Sequence, residues 1–238
     1  ADAVSSIWVI NAYQIAILAL LLPLATLGDL VGYRRVYMGG LALFTLASAA
    51  CALAPSLGVL TLARTIQGVG AAGVMSVNAA LVRLIYPRDQ LGKGVAINSL
   101  VVAAAAVAGP SLAAAILSWT TWPWLFAVNL PLGALVLSFG LRALPENAPS
   151  ARAKGQWSWL DVALNAAMFG LVFLGADALG VQPHEGARVV SGSGGSVLLL
   201  AGLAVGVVYI RRQWRLAVPT FPVDLLRIPV FAFSMGAS

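Results

Sequence analysis

Seven apolar runs, each long enough to cross a lipid bilayer, leave this chain few ways to fold. They lie near residues 7–27, 36–54, 59–82, 95–118, 124–143, 158–180 and 194–210, and an eighth begins near Pro229. A helix of roughly 20 apolar residues matches the hydrocarbon thickness of a membrane. Inside lipid every backbone polar group must find its partner within the protein, which leaves only helices and closed barrels. A barrel calls for shorter segments of alternating polarity, and the sequence has none. The expectation is therefore an all-α, polytopic transmembrane bundle. The scarcity of charge agrees: 9% of the 238 residues are charged, against about 25% in soluble domains.

The basic residues that remain set the orientation. Successive connections between the runs carry 2, 0, 3, 0, 3, 1 and 4 of them, from Arg34 and Arg35 in the first to Arg211, Arg212, Arg215 and Arg227 in the last. Basic loops stay on the cytoplasmic side. Loops 28–37, 83–94, 142–157 and 211–228 are accordingly expected to be cytoplasmic, and residue 1 external. The tryptophans fit this map, with Trp8, Trp119, Trp122 and Trp124 at external ends and Trp157, Trp159 and Trp214 at internal ones. The net charge of +6 is thus a signal of topology, and nucleic-acid binding has no support. The start, Ala1-Asp2-Ala3, lacks the basic region of a signal peptide. Combined with an external N-terminus, it leads us to expect a further helix upstream. Polar stretches at Pro145–Gln156, Val181–Gly195 and Pro219–Pro229 read as a linker, an external loop and a cytoplasmic connection.

Three stretches stand out against the apolar background. Arg64 is the only charge between Leu57 and Leu81, and an intramembrane arginine needs a partner or an aqueous cavity unless it snorkels to the interface. Gln67 and Gly68 share its helix face. Gly68, Ala72, Ser76 and Ala80 recur every fourth residue and form a small-residue stripe for close helix approach. In the first basic turn, Gly28 and Gly32 permit a tight reversal, and Asp29 can cap a helix or pair with an arginine. In the fourth run, Pro110 after Gly109 removes a backbone hydrogen bond and is expected to kink the helix.

These stretches resemble the major facilitator superfamily. Its loop between helices 2 and 3 reads Gly-x-Leu-Ala-Asp-Arg-x-Gly-Arg-Arg, matched here by Leu27, Asp29, Gly32, Arg34 and Arg35. Ala25, Gly28, Leu30 and Tyr33 depart from that pattern. The helix-4 pattern Arg-x-x-Gln-Gly-x-Gly-Ala-Ala is matched by Arg64, Gln67, Gly68, Gly70, Ala71 and Ala72. The helix-5 antiporter signature Gly-x-x-x-Gly-Pro-x-x-Gly-Gly resembles the stretch around Gly109 and Pro110, with Ala105, Ala113 and Ala114 replacing glycines. Further likeness to the 14-helix drug:proton antiporters lies in Ser6-x-Trp8-Val9-x-x-Ala12-Tyr13, Trp122-x-Trp124-x-Phe126-x-x-Asn129-x-Pro131-x-Gly133, Trp159-Leu160-Asp161 and Pro222-Val223-Asp224-Leu225-Leu226-Arg227.

The resemblance implies a partial fold of the major facilitator type. Residues 1–143 would be the N-terminal bundle, family helices 2–6. Residues 144–228 would be a linker and two accessory helices, and residues 229–238 the start of a second bundle. It implies proton-coupled export of amphipathic, cationic drugs by alternating access in a bacterial-type plasma (inner) membrane. Arg64, Gln67 and Gly68 would couple proton to substrate, with the partner of Arg64 on the absent first helix. Asp29, Gly32, Arg34 and Arg35 would gate the cytoplasmic face, and Gly109 and Pro110 would form the antiporter kink. Asp177 is a further candidate proton carrier, with an interfacial role as the plainer reading. The partners are then the lipid bilayer, protons and a small amphipathic or cationic solute.

No cofactor or metal is implied. Cys51 and His184 are the only residues of their kinds, which disfavours cysteine or histidine metal sites and a Ser-His-Asp triad, and without a clustered His, Asp and Glu constellation an enzyme is not expected. Gly68-x-Gly70-x-x-Gly73 has the letters of a dinucleotide fingerprint, but it lacks the flanking strands that motif requires. Rival expectations are a symporter of another small solute and a transport-inactive fragment or membrane scaffold.

Overall fold

The computed structural model describes residues 3–146, 158–179 and 192–214. Within them the chain is helical throughout: α1 (Ala3–Val31), α2 (Tyr33–Ala52), α3 (Leu57–Ile85), α4 (Leu91–Trp119), the short α5 (Trp124–Ala127), α6 (Asn129–Ala143), α7 (Trp159–Ala178) and α8 (Gly192–Gln213). A single 3-10 turn, Arg88–Gln90, joins α3 to α4. Counting α5 and α6 as one, seven helices among the described residues are long and apolar enough to cross a membrane. The eighth run, the loop expected to be external with His184 and Arg188, and most of the expected Pro145–Gln156 linker lie outside the described residues.

The helices extend further into the basic connections than hydropathy indicates. The expected loop 28–37 is not a loop: α1 runs to Val31, α2 starts at Tyr33, and Gly32 alone is non-helical. Its φ of 103° lies where only glycine is comfortable. Gly28 plays a different part from the one expected. It stays helical, and a Cβ there would meet Val77 at 2.6 Å and Tyr33 at 3.0 Å, so it serves helix packing rather than reversal. The expected loop 83–94 shrinks similarly to residues 86–90.

The core is a three-helix unit of α1, α2 and α3. Its middle is packed backbone against backbone. A Cβ on Gly70 would sit 2.5 Å from the Phe44 nitrogen of α2, and one on Gly68 would sit 2.6 Å from the Tyr13 carbonyl of α1. The small residues of α3 therefore serve two neighbours at once. Two apolar clusters close the ends of this unit. Val36, Val77 and Leu81 lie toward the arginine-rich end, and Cys51, Leu60 and Ala63 toward the other.

Around the core, α6 lies along α2, with Gly133 against Thr45 and Gly140 against Met38. The α7–α8 hairpin lies against α1. Helix α4 stands apart: its Gly94 lies against the ring of Tyr86, just past the end of α3, and Asn78 Nδ2 of α3 donates to its Asn98 Oδ1 at 3.0 Å. Its apolar side chains face outward, as do many large hydrophobics of α3, α6 and α8. Such continuous apolar exposure belongs in lipid rather than water.

Candidate functional site

Arg64 sits seven residues into α3, which at 1.5 Å per residue is roughly 10 Å from the helix start. Its side chain crosses to α1. Nε donates to the Val9 carbonyl at 3.3 Å, and the guanidinium lies 3.9 Å from the centroid of the Tyr13 ring. The Phe126 ring from α5 lies on another side at 5.7 Å, held edge-to-face by Trp122. Val9 and Tyr13 are one helical turn apart and so present one face of α1 to the arginine. A weakly hydrated, planar cation suits an aromatic surface of this kind.

Gln67 ties that cation into the core. Its Oε1 accepts from Arg64 Nη1 at 2.5 Å and is 3.9 Å from the Cys51 thiol. Its Nε2 donates to Ser48 Oγ at 2.6 Å, and Ser48 in turn donates to the Phe44 carbonyl. Gln67, Ser48 and Cys51 are fully buried, so a hydrogen-bonded chain runs from α2 through α3 to the arginine. Gly68 supplies the close approach of α1 that brings Val9 and Tyr13 within reach. Among the described residues no carboxylate forms an ion pair with Arg64. A fixed, half-buried guanidinium of this kind favours the ionised form of any carboxyl brought beside it.

The second candidate group lies at the opposite end of the core. Tyr33 donates its hydroxyl to Asp29 Oδ1 at 2.5 Å, spanning the break at Gly32. Tyr33 is one of the positions that depart from the family pattern, and it engages the aspartate directly. Arg34 reaches α6, donating to the Leu141 carbonyl and pairing with Glu146 at 2.7 Å. The Leu141 carbonyl belongs to the last turn of α6, where a cation complements the helix dipole. Glu146 is 90% exposed, so the pair itself contributes little, about 0–1 kcal/mol. Arg35 is exposed and makes a long contact of 3.5 Å to the Val31 carbonyl.

The remaining candidates are separate from both groups. Gly109 and Pro110 lie in α4, which continues as one helix through the proline, and nothing packs within 4 Å of a Cβ at Gly109. Asp177 on α7 accepts from Asn11 Nδ2 at 3.3 Å. Asn11 lies two residues from Val9 and from Tyr13, on a different side of α1 from Arg64. Ser158 caps the start of α7, its Oγ accepting from the Asp161 N–H, and the Asp161 carboxylate in that first turn pairs with Arg212 at 2.7 Å. The dinucleotide-like glycines lie within α3 and pack helices.

Among the polar contacts that sequence reasoning missed, one joins α7 to α1. Asn165, fully buried on α7, donates Nδ2 to the Ala19 carbonyl of α1 at 2.7 Å. That carbonyl would otherwise accept from the N–H of residue 23, which is Pro23. The usable signal was the proline, which leaves an acceptor free four residues upstream.

Comparison with known proteins places this arrangement. The family model of the Major Facilitator Superfamily matches residues 1–237. The chain is 48% identical over all its 238 residues to the uncharacterized transporter YebQ of Escherichia coli (strain K12), covering 50% of that protein. It is 33% identical over 231 residues, 96% of the chain, to the multidrug resistance protein Stp of Mycobacterium tuberculosis (strain CDC 1551 / Oshkosh), covering 41% of it. It is also 33% identical over 139 residues, 58% of the chain, to the riboflavin transporter RibZ of Clostridioides difficile (strain 630), covering 30% of it. The chain thus spans about half the length, or less, of the curated relatives it matches.

Proposed function

The chain belongs to the Major Facilitator Superfamily, and on that premise we propose that it is the N-terminal portion of a proton-coupled exporter of small amphipathic, cationic compounds. Residues 1–143 form the first bundle in this reading, residues 144–228 a linker with two accessory helices, and residues 229–238 the start of the second bundle. Residue 1 faces the exterior of a bacterial-type plasma membrane, and the arginine-rich end faces the cytoplasm.

The observation that carries the reading is the setting of Arg64. Its guanidinium is held from three sides by Gln67, the Val9 carbonyl and the Tyr13 face, yet it lacks a carboxylate ion-pair partner among the described residues. A cation fixed in this way lowers the proton affinity of an acidic group that approaches it and loses that influence when the group withdraws. Alternating access provides the approach and withdrawal. Asp29, Gly32, Arg34 and Arg35 gate the cytoplasmic side, and Gly109 with Pro110 sets the shape of α4. Asp177 is a secondary proton-carrying candidate. The name of the relative Stp, a multidrug resistance protein, supports the substrate class.

The test is proton-driven accumulation of substrate in inverted vesicles carrying the full-length protein, where export is directed into the lumen. Arg64→Ala is expected to abolish it, while Arg64→Lys retains charge but not the planar stacking and is expected to retain a minor part. Unchanged accumulation in Arg64→Ala would overturn the coupling role. A second reading, carriage of another small solute in the same direction as protons, is favoured by the relative named a riboflavin transporter. Opposite proton and solute fluxes support export by exchange, and parallel fluxes support the second reading.

A further inference from the structure

Helices α7 and α8 zip together in a regular antiparallel register. Gly175 meets Leu199, Gly202 meets Val172, Gly206 meets Met168, and Gly195 meets Ala178. The Asp161–Arg212 ion pair continues that register at the far end. By the same spacing Tyr209 stands opposite Asn165, and both are buried. The hairpin is thus closely packed before it meets the rest of the chain.

Its attachment to α1 is of another kind. Asn165 Nδ2 donates to the one α1 carbonyl that Pro23 leaves without a helical donor. Nearer the other end, Asn11 of α1 donates to Asp177 of α7. Between these two rungs Gly170 of α7 faces α1, with the site of its Cβ 3.9 Å from Ile15, an ordinary contact distance. Lipid tails are as apolar as leucine, so apolar side chains alone give helices little reason to associate in a bilayer. Hydrogen bonds of this sort then select one docking position.

We propose that Asn165 is the clasp that fixes the α7–α8 hairpin to α1 at the carbonyl left open by Pro23, making the hairpin part of the first bundle. The hairpin then follows α1 in any rigid-body movement of that bundle. The inference rests on packing geometry and is independent of which solute the protein carries. Asn165 Oδ1 and the Tyr209 hydroxyl have no hydrogen-bond partner among the described residues, so the donor side of Asn165 makes the attachment and Tyr209 does not.

The test uses the full-length protein in native membranes with Cys51→Ala, Ile15→Cys and Gly170→Cys, and a protease site inserted within residues 147–157. After cleavage, only a disulfide between α1 and α7 keeps the two pieces together. Asn165→Leu, with the same branched shape and compatible with lipid, is expected to slow disulfide formation about three- to fifteen-fold, the range for membrane hydrogen bonds. Pro23→Ala restores an N–H that competes for the Ala19 carbonyl, and is expected to slow it comparably without altering α7. The double variant is expected to be no slower than either single one, and Tyr209→Phe to match the parent. An unchanged rate in Asn165→Leu, or independent multiplying effects of the two substitutions, would overturn the clasp. Because Pro23→Ala changes only α1, it keeps the question answerable if Asn165→Leu fails to insert.

Discussion

At the residue scale, two positions in the first basic turn carry obligations that differ from their neighbours. Gly32 has a φ of 103°, a conformation that costs a residue with a side chain about 1–3 kcal/mol. Gly32→Ala is therefore expected to lower the stability of the purified chain by that amount, seen as a reduced melting temperature in detergent. Gly28→Ala should also destabilise, but by crowding Val77 and Tyr33 rather than by backbone strain. The sequence marks both glycines equally; only the helix running to Val31 separates their roles. Tyr33 illustrates the opposite situation, since its departure from the family pattern announces a special contact. Its bond to Asp29 predicts that Tyr33→Phe costs about 1 kcal/mol, measured in the same melting assay.

At the element scale, glycines in similar-looking runs divide by what faces them. Gly70 on α3 lies against the backbone of α2, 2.5 Å from the Phe44 nitrogen when a Cβ is added. Backbone cannot move aside as a side chain can, so Gly70→Ala is expected to destabilise by about 1–3 kcal/mol. Gly109 on α4 has open space around it, and Gly109→Ala should leave the stability of this chain within about 1 kcal/mol of the parent, with any change favourable. Equal losses at both positions in thermal melting would contradict the packing described. Hydropathy made the spans legible because lipid imposes length and polarity on each of them. It gave less account of their ends, because a helix can continue through Arg34 or Arg83 once it reaches the headgroups. The Arg64, Gln67 and Gly68 grouping was legible because helical spacing alone puts them on one side. The attachment of Asn165 to Ala19 was not, since it joins residues 146 positions apart through an acceptor that only Pro23 releases.

At the scale of the whole molecule, the three core helices carry the polar network, while α4 offers its surface almost entirely to its surroundings. The orientation proposed from the basic residues is open to direct measurement. With Cys51 replaced by alanine, Asp89→Cys is expected to react with a membrane-impermeant thiol reagent only in inverted vesicles, and Thr121→Cys only in intact cells. Both residues lie in short turns between helices, so labelling tests topology with little disturbance to packing. The reverse pattern would invert the proposed orientation.

The junction at Gly32 has a mechanical consequence. A connection of several residues would provide slack, and α1 could tilt or slide while α2 stayed in place. One residue between Val31 and Tyr33 provides none. It acts as a pin joint: the two helices can change their mutual angle there, but neither can travel along its axis without carrying the adjoining end of the other.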